Sequence, residues 1–222
     1  FGTFVLHFKS DPIVVGIAMN LSSWGLTSLL LFNIFHIRGS ILDPRIKSFG
    51  SIHMPFLDGI PVVDEIFNNQ NILVYMAFAV VILSQVVMYR TPFGLRLRGV
   101  GINDKAVQTT GVSVVKYKWA SLIITGVLAG AAGAFLPLSG ISMFTENMSA
   151  GKGFLAVSAA RIGKGDPLKS FFACFIFSFA DALSVGLQSF NIPSQLVLMA
   201  PYVVTIVVMC LTNLNELKKE AV

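Results

Sequence analysis

Three polar side chains stand inside long apolar stretches of this sequence: Asn20, Gln85 and Asp181. Asp181 is the only formal charge between residues 170 and 212. Uncharged stretches of about 20 residues are typical of membrane spans. A carboxylate at the centre of such a span costs about 2.5–3.5 kcal/mol on insertion scales. Asp181 is therefore expected to face a cavity or a partner group. Two interpretations stay open, a place on a translocation pathway or a buried hydrogen bond to Ser178, Ser184 or a neighbouring helix.

The two amides have weaker chemical implications. Asn20 and Gln85 could bind the hydroxyl groups or base edges of a substrate, but hydrogen bonding between helices is the more common use of such residues in membranes. No CxxC or HExxH pattern occurs, the three histidines are scattered, and no nucleophile–base pair is visible in the spans. Cys174 and Cys210 lie in apolar runs and are expected to be free thiols. We predict no catalytic site, no metal site and no cofactor bound by this chain.

A basic segment at residues 90–118 separates two apolar runs and carries six Lys and Arg against one acid, Asp104. Within it, Asn103 is a good N-cap, Asp104 suits the positive end of a helix dipole, and Gly111 can end a helix. These signals predict a helix of about two turns. A helix this short does not persist alone in water and needs a docking surface on its own transmembrane domain or on another subunit. An ordered turn without a partner is the alternative.

The elements that position these residues are membrane helices. Hydrophobic residues make up 55% of the chain and charged residues only 12%, and the mean hydropathy is +0.77. Soluble domains carry about 25% charged residues, so we predict an integral membrane protein. The excess of basic residues follows membrane topology, and no basic surface with interleaved aromatics is present for nucleic acid.

The predicted fold is an all-α, polytopic bundle with about five spans, one of them short or broken, and a short cytoplasmic helix. Asp11-Pro12 is a helix start signal for the first span. The apolar runs are 13–35, 71–89, 119–140, 170–190 and 194–212, with an 11-residue run at 153–163. The loops between them are 36–70, 90–118 and 141–152.

Charge counting predicts the orientation. If the short run at 153–163 crosses the membrane, twelve of the sixteen Lys and Arg residues lie on the same side as the basic segment. If it does not cross, the last two spans invert and the basic tail falls on the opposite side. Because basic loops stay in the cytoplasm, we predict the crossing arrangement, with the C-terminus cytoplasmic and the 36–70 and 141–152 loops outside.

The string RTPFGLRLRGVGINDKAVQTTGVSVVKYKWASLIITGVLAGAAGAF resembles the permease subunits of bacterial ABC importers of the branched-chain amino acid, ribose and nucleoside type. Their pattern reads R-T-x-x-G, R-A-x-G-x-N, A-A and G-I before a Gly/Ala-rich span. The matching positions are Arg90-Thr91, Gly94, Arg98, Gly101, Asn103, Ala106 and Gly111-Val112. The chain departs in Gly99 for Ala and in Gln108 or Thr109 near the second Ala. These are small deviations.

Two further blocks, MSAGKGFLAVSAARIGKGDPLKSFFACFIFSFADAL and IPVVDEIFNNQNILVYMAF, look like the nucleoside and simple-sugar branch, and the resemblance covers roughly residues 11–212. It implies a single permease domain over 1–222 in a bacterial cytoplasmic membrane, with 90–118 as its cytoplasmic coupling loop. Family members usually have more spans upstream, so an N-terminal truncation is expected. The residues implied to couple to the ATPase are Asn103, Asp104, Lys105, Ala106, Val107 and Gly111.

The resemblance also implies partners: a separate ATPase subunit that binds ATP and Mg, a second permease subunit (the same or a related chain), and an extracytoplasmic substrate-binding protein. The sequence agrees that the motor is elsewhere, because no G-x-x-x-x-G-K-[ST] motif occurs. The alternative is an ion-coupled secondary transporter or channel, which would need chained intramembrane ionisable residues, and only Asp181 qualifies. The sequence does not choose among nucleosides, ribose-like sugars and riboflavin as the substrate.

Overall fold

The computed structural model describes residues 1–42, 51–52, 70–138, 143–187 and the single positions 199, 203, 205, 206 and 210. The chain divides into two compact units. The first contains residues 1–80 and 86–150, and the second contains residues 81–85 and 151–222. The single permease domain expected over 1–222 stays a prediction.

The described chain is mainly helical, as predicted. Within the described stretches from residue 1 to 187, a π-helical turn at Thr3–His7 is followed by the helices α1 Pro12–Phe35, α2 Ile72–Arg90, α3 Pro92–Ile102, α4 Asp104–Thr109, α5 Val114–Leu138, α6 Lys152–Ile162 and α7 Pro167–Leu187. Four of them, α1, α2, α5 and α7, are long and apolar enough to cross a membrane, which confirms four predicted spans. At most 17% of each apolar window is buried within the chain, so most of this apolar surface is left for lipid or for other subunits. The run predicted at 194–212 lies largely outside the described residues.

Short strands connect the loops of the first unit. Strands β1 (Ser40–Leu42) and β4 (Met143–Thr145) pair antiparallel, and so do β2 (Ser51–Ile52) and β3 (Gln70–Asn71). The β1–β4 pair joins the predicted 36–70 loop to the predicted 141–152 loop. These two loops therefore meet at one end of the first unit, as the predicted topology requires of loops on the same side of a membrane.

The turn between α2 and α3 needs a glycine. Thr91 caps α3 by accepting a hydrogen bond from Gly94 N at 3.2 Å, and its hydroxyl donates to Val87 O in α2 at 2.6 Å. A Cβ at Gly94 would overlap the carbonyl oxygen of Val87 and lie 2.6 Å from that of Met88. The start of α3 can lie this close to the backbone at the end of α2 only because residue 94 has no side chain.

In the second unit, α6 and α7 form an antiparallel hairpin. Gly163 ends α6, and a Cβ on it would meet the backbone of Ser170 in the first turn of α7. Buried Ala159, Ala173 and Phe177 form the core between the two helices. At about 1.5 Å per residue, α6 is about 16 Å long, so it covers only about half of a 30 Å hydrocarbon core. The prediction of a short helix here is confirmed, and its complete crossing stays a prediction.

Candidate functional site

The predicted capped helix in the basic segment is present as α4. Asn103 Oδ1 accepts a hydrogen bond from Ala106 N at 3.1 Å, and the Asn103 carbonyl accepts one from Val107 N at 3.2 Å. Gly111, with φ +78°, takes the left-handed conformation just beyond the helix, and its N–H donates to Gln108 O at 3.1 Å. Both ends of this six-residue helix are therefore fixed by the residues that the sequence indicated.

An ion pair ties α4 to the following span. Lys118 Nζ, in the second turn of α5, lies 3.0 Å from Asp104 Oδ2 in the first turn of α4. Its hydrogen bond and its charge hold the pKa of the Asp104 carboxyl below the ordinary value. Since Asp104 also stands at the positive end of α4, it is stabilised as a carboxylate from two directions. Part of the docking surface that so short a helix needs is therefore on the chain itself.

Helix α3 supplies the rest of the local support. An ideal Cβ at Gly99 would lie 3.1 Å from Val107 Cγ2, so α3 and α4 pack closely at this point. Arg96 Nη1 donates to the Tyr117 hydroxyl at 3.2 Å, and the Phe93 ring lies 5.5 Å from the Tyr117 ring between centroids. The basic segment is thus an ordered assembly of α3, α4 and the start of α5. The sequence had indicated a loop with one short helix, so α3 was missed.

The exposed face of this assembly includes apolar surface outside the membrane spans. Ile102, directly before the Asn103 cap, is 87% exposed. Lys105 and Ala106 are also exposed, whereas Val107 is half-buried. A large aliphatic side chain left in water is unfavourable by about 1.5–3 kcal/mol relative to full burial. The sequence reasoning did not single out Ile102, although an aliphatic residue directly before the Asn103 cap was its available signal.

In the second unit, Asp181 is paired. Lys152 Nζ, at the start of α6, lies 3.4 Å from Asp181 Oδ2 on α7. Both side chains line a cavity of about 140 Å³ together with Leu155, Cys174, Phe177 and other residues. Ser184 is buried, but its hydroxyl donates to Ala180 O at 2.8 Å. The partner that the structure gives Asp181 is therefore Lys152 on the neighbouring helix, and the Ser184 hydroxyl is bound to its own helix instead.

The other two predicted pathway residues are not at this cavity. Gln85 belongs to the same unit as Asp181 but does not line the cavity, and among the described residues no group donates to its buried Oε1. Asn20 belongs to the first unit and is exposed on α1. The assignment of Asn20, Gln85 and Asp181 to a translocation pathway stays a prediction. Lys152 was missed because it stands at the end of the predicted 141–152 loop rather than inside an apolar run.

Four apolar helices of spanning length define a multi-pass membrane protein, and the ordered basic segment lies between two of them, α2 and α5. Residues 1–209 match the family described as branched-chain amino acid transport system / permease component, and the chain belongs to this family. No solved structure gives a significant match to the chain.

Curated relatives agree with this assignment. The nucleoside ABC transporter permease protein NupC of Lactococcus lactis is 35% identical over 93% of this chain and 66% of its own length. The guanosine ABC transporter permease protein NupQ of Bacillus subtilis is 34% identical over 90% of this chain and 64% of its own length. The putative glucose ABC transporter permease protein TsgC13 of Haloferax volcanii is 28% identical over 84% of this chain and 56% of its own length. The chain thus spans 56–66% of the length of these relatives, and the resemblance to the nucleoside and sugar branch is confirmed.

Proposed function

We propose that the chain is part of the substrate-translocating permease subunit of an ATP-binding cassette importer. In this proposal the whole protein moves a nucleoside or a simple sugar across a bacterial cytoplasmic membrane. Membership of the permease family and similarity to permeases named for nucleosides, guanosine and glucose support the substrate class. The chain contributes no ATPase site of its own, and a separate subunit binds and hydrolyses ATP with Mg.

The observation that carries the mechanism is the braced helix α4. Its caps and the Lys118–Asp104 pair fix it to the first turns of a spanning helix, while Ile102 and Ala106 remain exposed. A short helix fixed to a span can transmit a movement of a soluble partner directly to that span. We assign Asn103, Asp104, Lys105, Ala106, Val107 and Gly111, together with Ile102, to the contact with the ATPase, on the cytoplasmic side.

Two further partners complete the proposal. A second permease subunit, either another copy or a related chain, would cover part of the apolar surface that the four spanning helices leave exposed. A substrate-binding protein would deliver the ligand at the opposite end of the spans from α4, where β1 and β4 join two loops. The C-terminus would lie in the cytoplasm with the basic segment.

The experiment tests coupling in proteoliposomes that contain the full-length permease with its ATPase and binding protein. Ala106→Asp and Ile102→Asp each place a charge in the proposed contact. A charge buried there without a partner costs about 3–5 kcal/mol, equivalent to a loss of affinity of more than 100-fold. We expect normal membrane insertion but loss of the ATPase stimulation by the loaded binding protein.

Ser113→Asp is the matched control, since Ser113 is exposed in the turn between α4 and α5, outside the proposed contact. It should leave coupling unchanged. Normal ATPase stimulation in both Asp variants of the contact would overturn the coupling assignment. Transport that depends on an ion gradient and continues without ATP would overturn the class of transporter itself.

A further inference from the structure

The Lys152–Asp181 pair lies deep along the α6–α7 hairpin. Asp181 stands about 21 Å along the α7 axis from Pro167, about two thirds of the way through the span. Lys152 is the first residue of α6, so this short helix ends beside Asp181 rather than at the far end of α7. Helices interrupted within a membrane protein are tolerated where they face protein or an aqueous cavity, and a cavity is present at this point.

The ion pair between Lys152 and Asp181 is long. Its N–O distance of 3.4 Å exceeds the 2.7–2.9 Å or so of a charge-assisted hydrogen bond. The Lys152 and Asp181 side chains are 56% and 36% exposed, so both retain open hydrogen-bonding capacity toward the cavity. A polar ligand group can therefore enter between the charges without first breaking a short, fully buried bond.

The cavity accommodates part of a ligand rather than a whole one. Its volume is about 140 Å³. Sites that enclose a drug-sized ligand measure about 300–1,000 Å³. Leu155 and Phe177 supply apolar wall, and the two charges supply the polar contacts. Such a site fits one small ring that carries polar groups.

The charges select the chemistry of that ring. A carboxylate only accepts hydrogen bonds and an ammonium only donates them, whereas adjacent hydroxyls can donate to one and accept from the other. An anionic ligand would be repelled by Asp181 and a cationic one by Lys152. We propose that the Lys152–Asp181 cavity is a subsite for the adjacent hydroxyl groups of a neutral sugar ring, with the ring's carbon face against the apolar wall of the cavity. This inference rests on the proposed function and names the ligand contact within it.

Cys174 gives a direct readout, because this free thiol lines the same cavity. In a Cys210→Ser background, the full-length permease assembled with its ATPase in proteoliposomes is labelled with a small thiol reagent. The labelling rate of Cys174 is measured with increasing adenosine, 2′,3′-dideoxyadenosine, ribose or adenine. We expect adenosine and ribose to slow labelling, and dideoxyadenosine and adenine to leave it unchanged.

Charge removal tests the polar contacts. Asp181→Asn and Lys152→Gln should each raise the half-protective adenosine concentration at least about tenfold, the equivalent of one lost charge-assisted hydrogen bond. Lys169→Gln removes a charge from the first turn of α7, outside the cavity, and should leave protection unchanged. A thiol introduced by Phe179→Cys in a Cys174→Ser, Cys210→Ser background, on the exposed side of α7, should not be protected by any of the four compounds.

The outcomes separate the subsite from the proposed function. Adenosine uptake with no protection of Cys174 would overturn the subsite alone, as would equal protection by adenosine and its dideoxy analogue. Protection by adenine without ribose would assign the cavity to the base instead. If the assembled complex transports none of these compounds, no other nucleoside and no simple sugar, the proposed function itself fails.

Discussion

Lys118 Nζ and Asp104 Oδ2 lie 3.0 Å apart, so one ion pair joins the first turn of the short helix α4 to the spanning helix α5. Replacing Lys118 by Met removes the link but keeps much of the side-chain volume. We expect backbone amides of α4 to exchange faster with solvent and coupling to the ATPase to fall. Hydrogen–deuterium exchange of residues 104–110 measures the first effect.

Lys116→Met is the matched control, because Lys116 is exposed two residues earlier and the structure shows no ion pair for it among the described residues. The exchanged pair, Asp104→Lys with Lys118→Asp, should recover less than full protection, because it places a cation at the positive end of α4. Equal exchange in the Lys116 and Lys118 variants would contradict the bracing role of the pair.

The same pair predicts a dependence on pH. Lys118 lowers the pKa of Asp104 in the folded state, so the folded chain binds fewer protons at this group than the unfolded chain does. The stabilisation is fully present above the ordinary aspartate pKa and is lost as the pH falls through the lowered folded-state pKa. Lys118→Met should move the pKa of Asp104 upward, as measured by NMR of a labelled Asp104 carboxyl. An unchanged pKa would show that the pair does not persist in solution.

Another prediction concerns topology. β1 and β4 place Ser40 opposite Thr145 in one ladder, so the 36–70 and 141–152 loops share one side of the membrane. In a background without Cys174 and Cys210, Ser40→Cys and Ser149→Cys should react with an impermeant thiol reagent added to intact cells. Ser113→Cys in the basic segment should react only after the cells are opened. Labelling of Ser113→Cys in intact cells would reverse the predicted orientation.

The next prediction compares two glycines of α3. Gly94→Ala places a methyl group against the Val87 carbonyl, and backbone cannot move aside as a side-chain tip can. We expect destabilisation of about 1–3 kcal/mol or more, seen as a lower thermal midpoint and less assembled complex. Gly101→Ala in the same helix meets no atom within 4 Å and should be neutral or slightly stabilising. Similar midpoints for the two variants would contradict the tight turn.

Local signals explain what the sequence predicted well. Asp11 accepts hydrogen bonds from Ile13 N and Val14 N, and Asn103 accepts one from Ala106 N, as their positions before the helices indicated. Thr91-Pro92 is the same kind of start signal, yet α3 was missed. Three glycines and two arginines make the sequence of Pro92–Ile102 look like a loop, and its order depends on contacts such as Arg96 with Tyr117, which no local pattern reveals.

The register between distant elements was not predictable. Lys152 and Asp181 meet because two antiparallel helices of different length pack around Ala159 and Phe177, and a single sequence does not specify which turns face each other. The sequence showed that Asp181 is an unusual charge within an apolar run, but it did not show that Lys152 is its partner. The strands at 40–42 and 143–145 are too short for an alternating pattern to develop.

The final prediction concerns the contact between α3 and the end of α2. The Arg98 guanidinium carbon lies 4.4 Å from the centroid of the Tyr89 ring, a cation–π arrangement. Since Tyr89 is 44% exposed, this contact should stabilise the purified full-length permease by about 0.5–1 kcal/mol. Tyr89→Phe keeps the ring and should preserve this stabilisation, whereas Tyr89→Leu should lose it.

A double-mutant cycle with Arg98→Met isolates the interaction from the other contacts of each residue. In the Arg98→Met background, Tyr89→Leu should lower the free energy of unfolding by about 0.5–1 kcal/mol less than it does in the native chain. Arg98→Lys should retain part of the coupling, because it keeps the cation but not the planar group that stacks on the ring. If Tyr89→Leu has the same effect in both backgrounds, the ring and the guanidinium do not stabilise each other and α3 is held to α2 through Thr91 and Gly94.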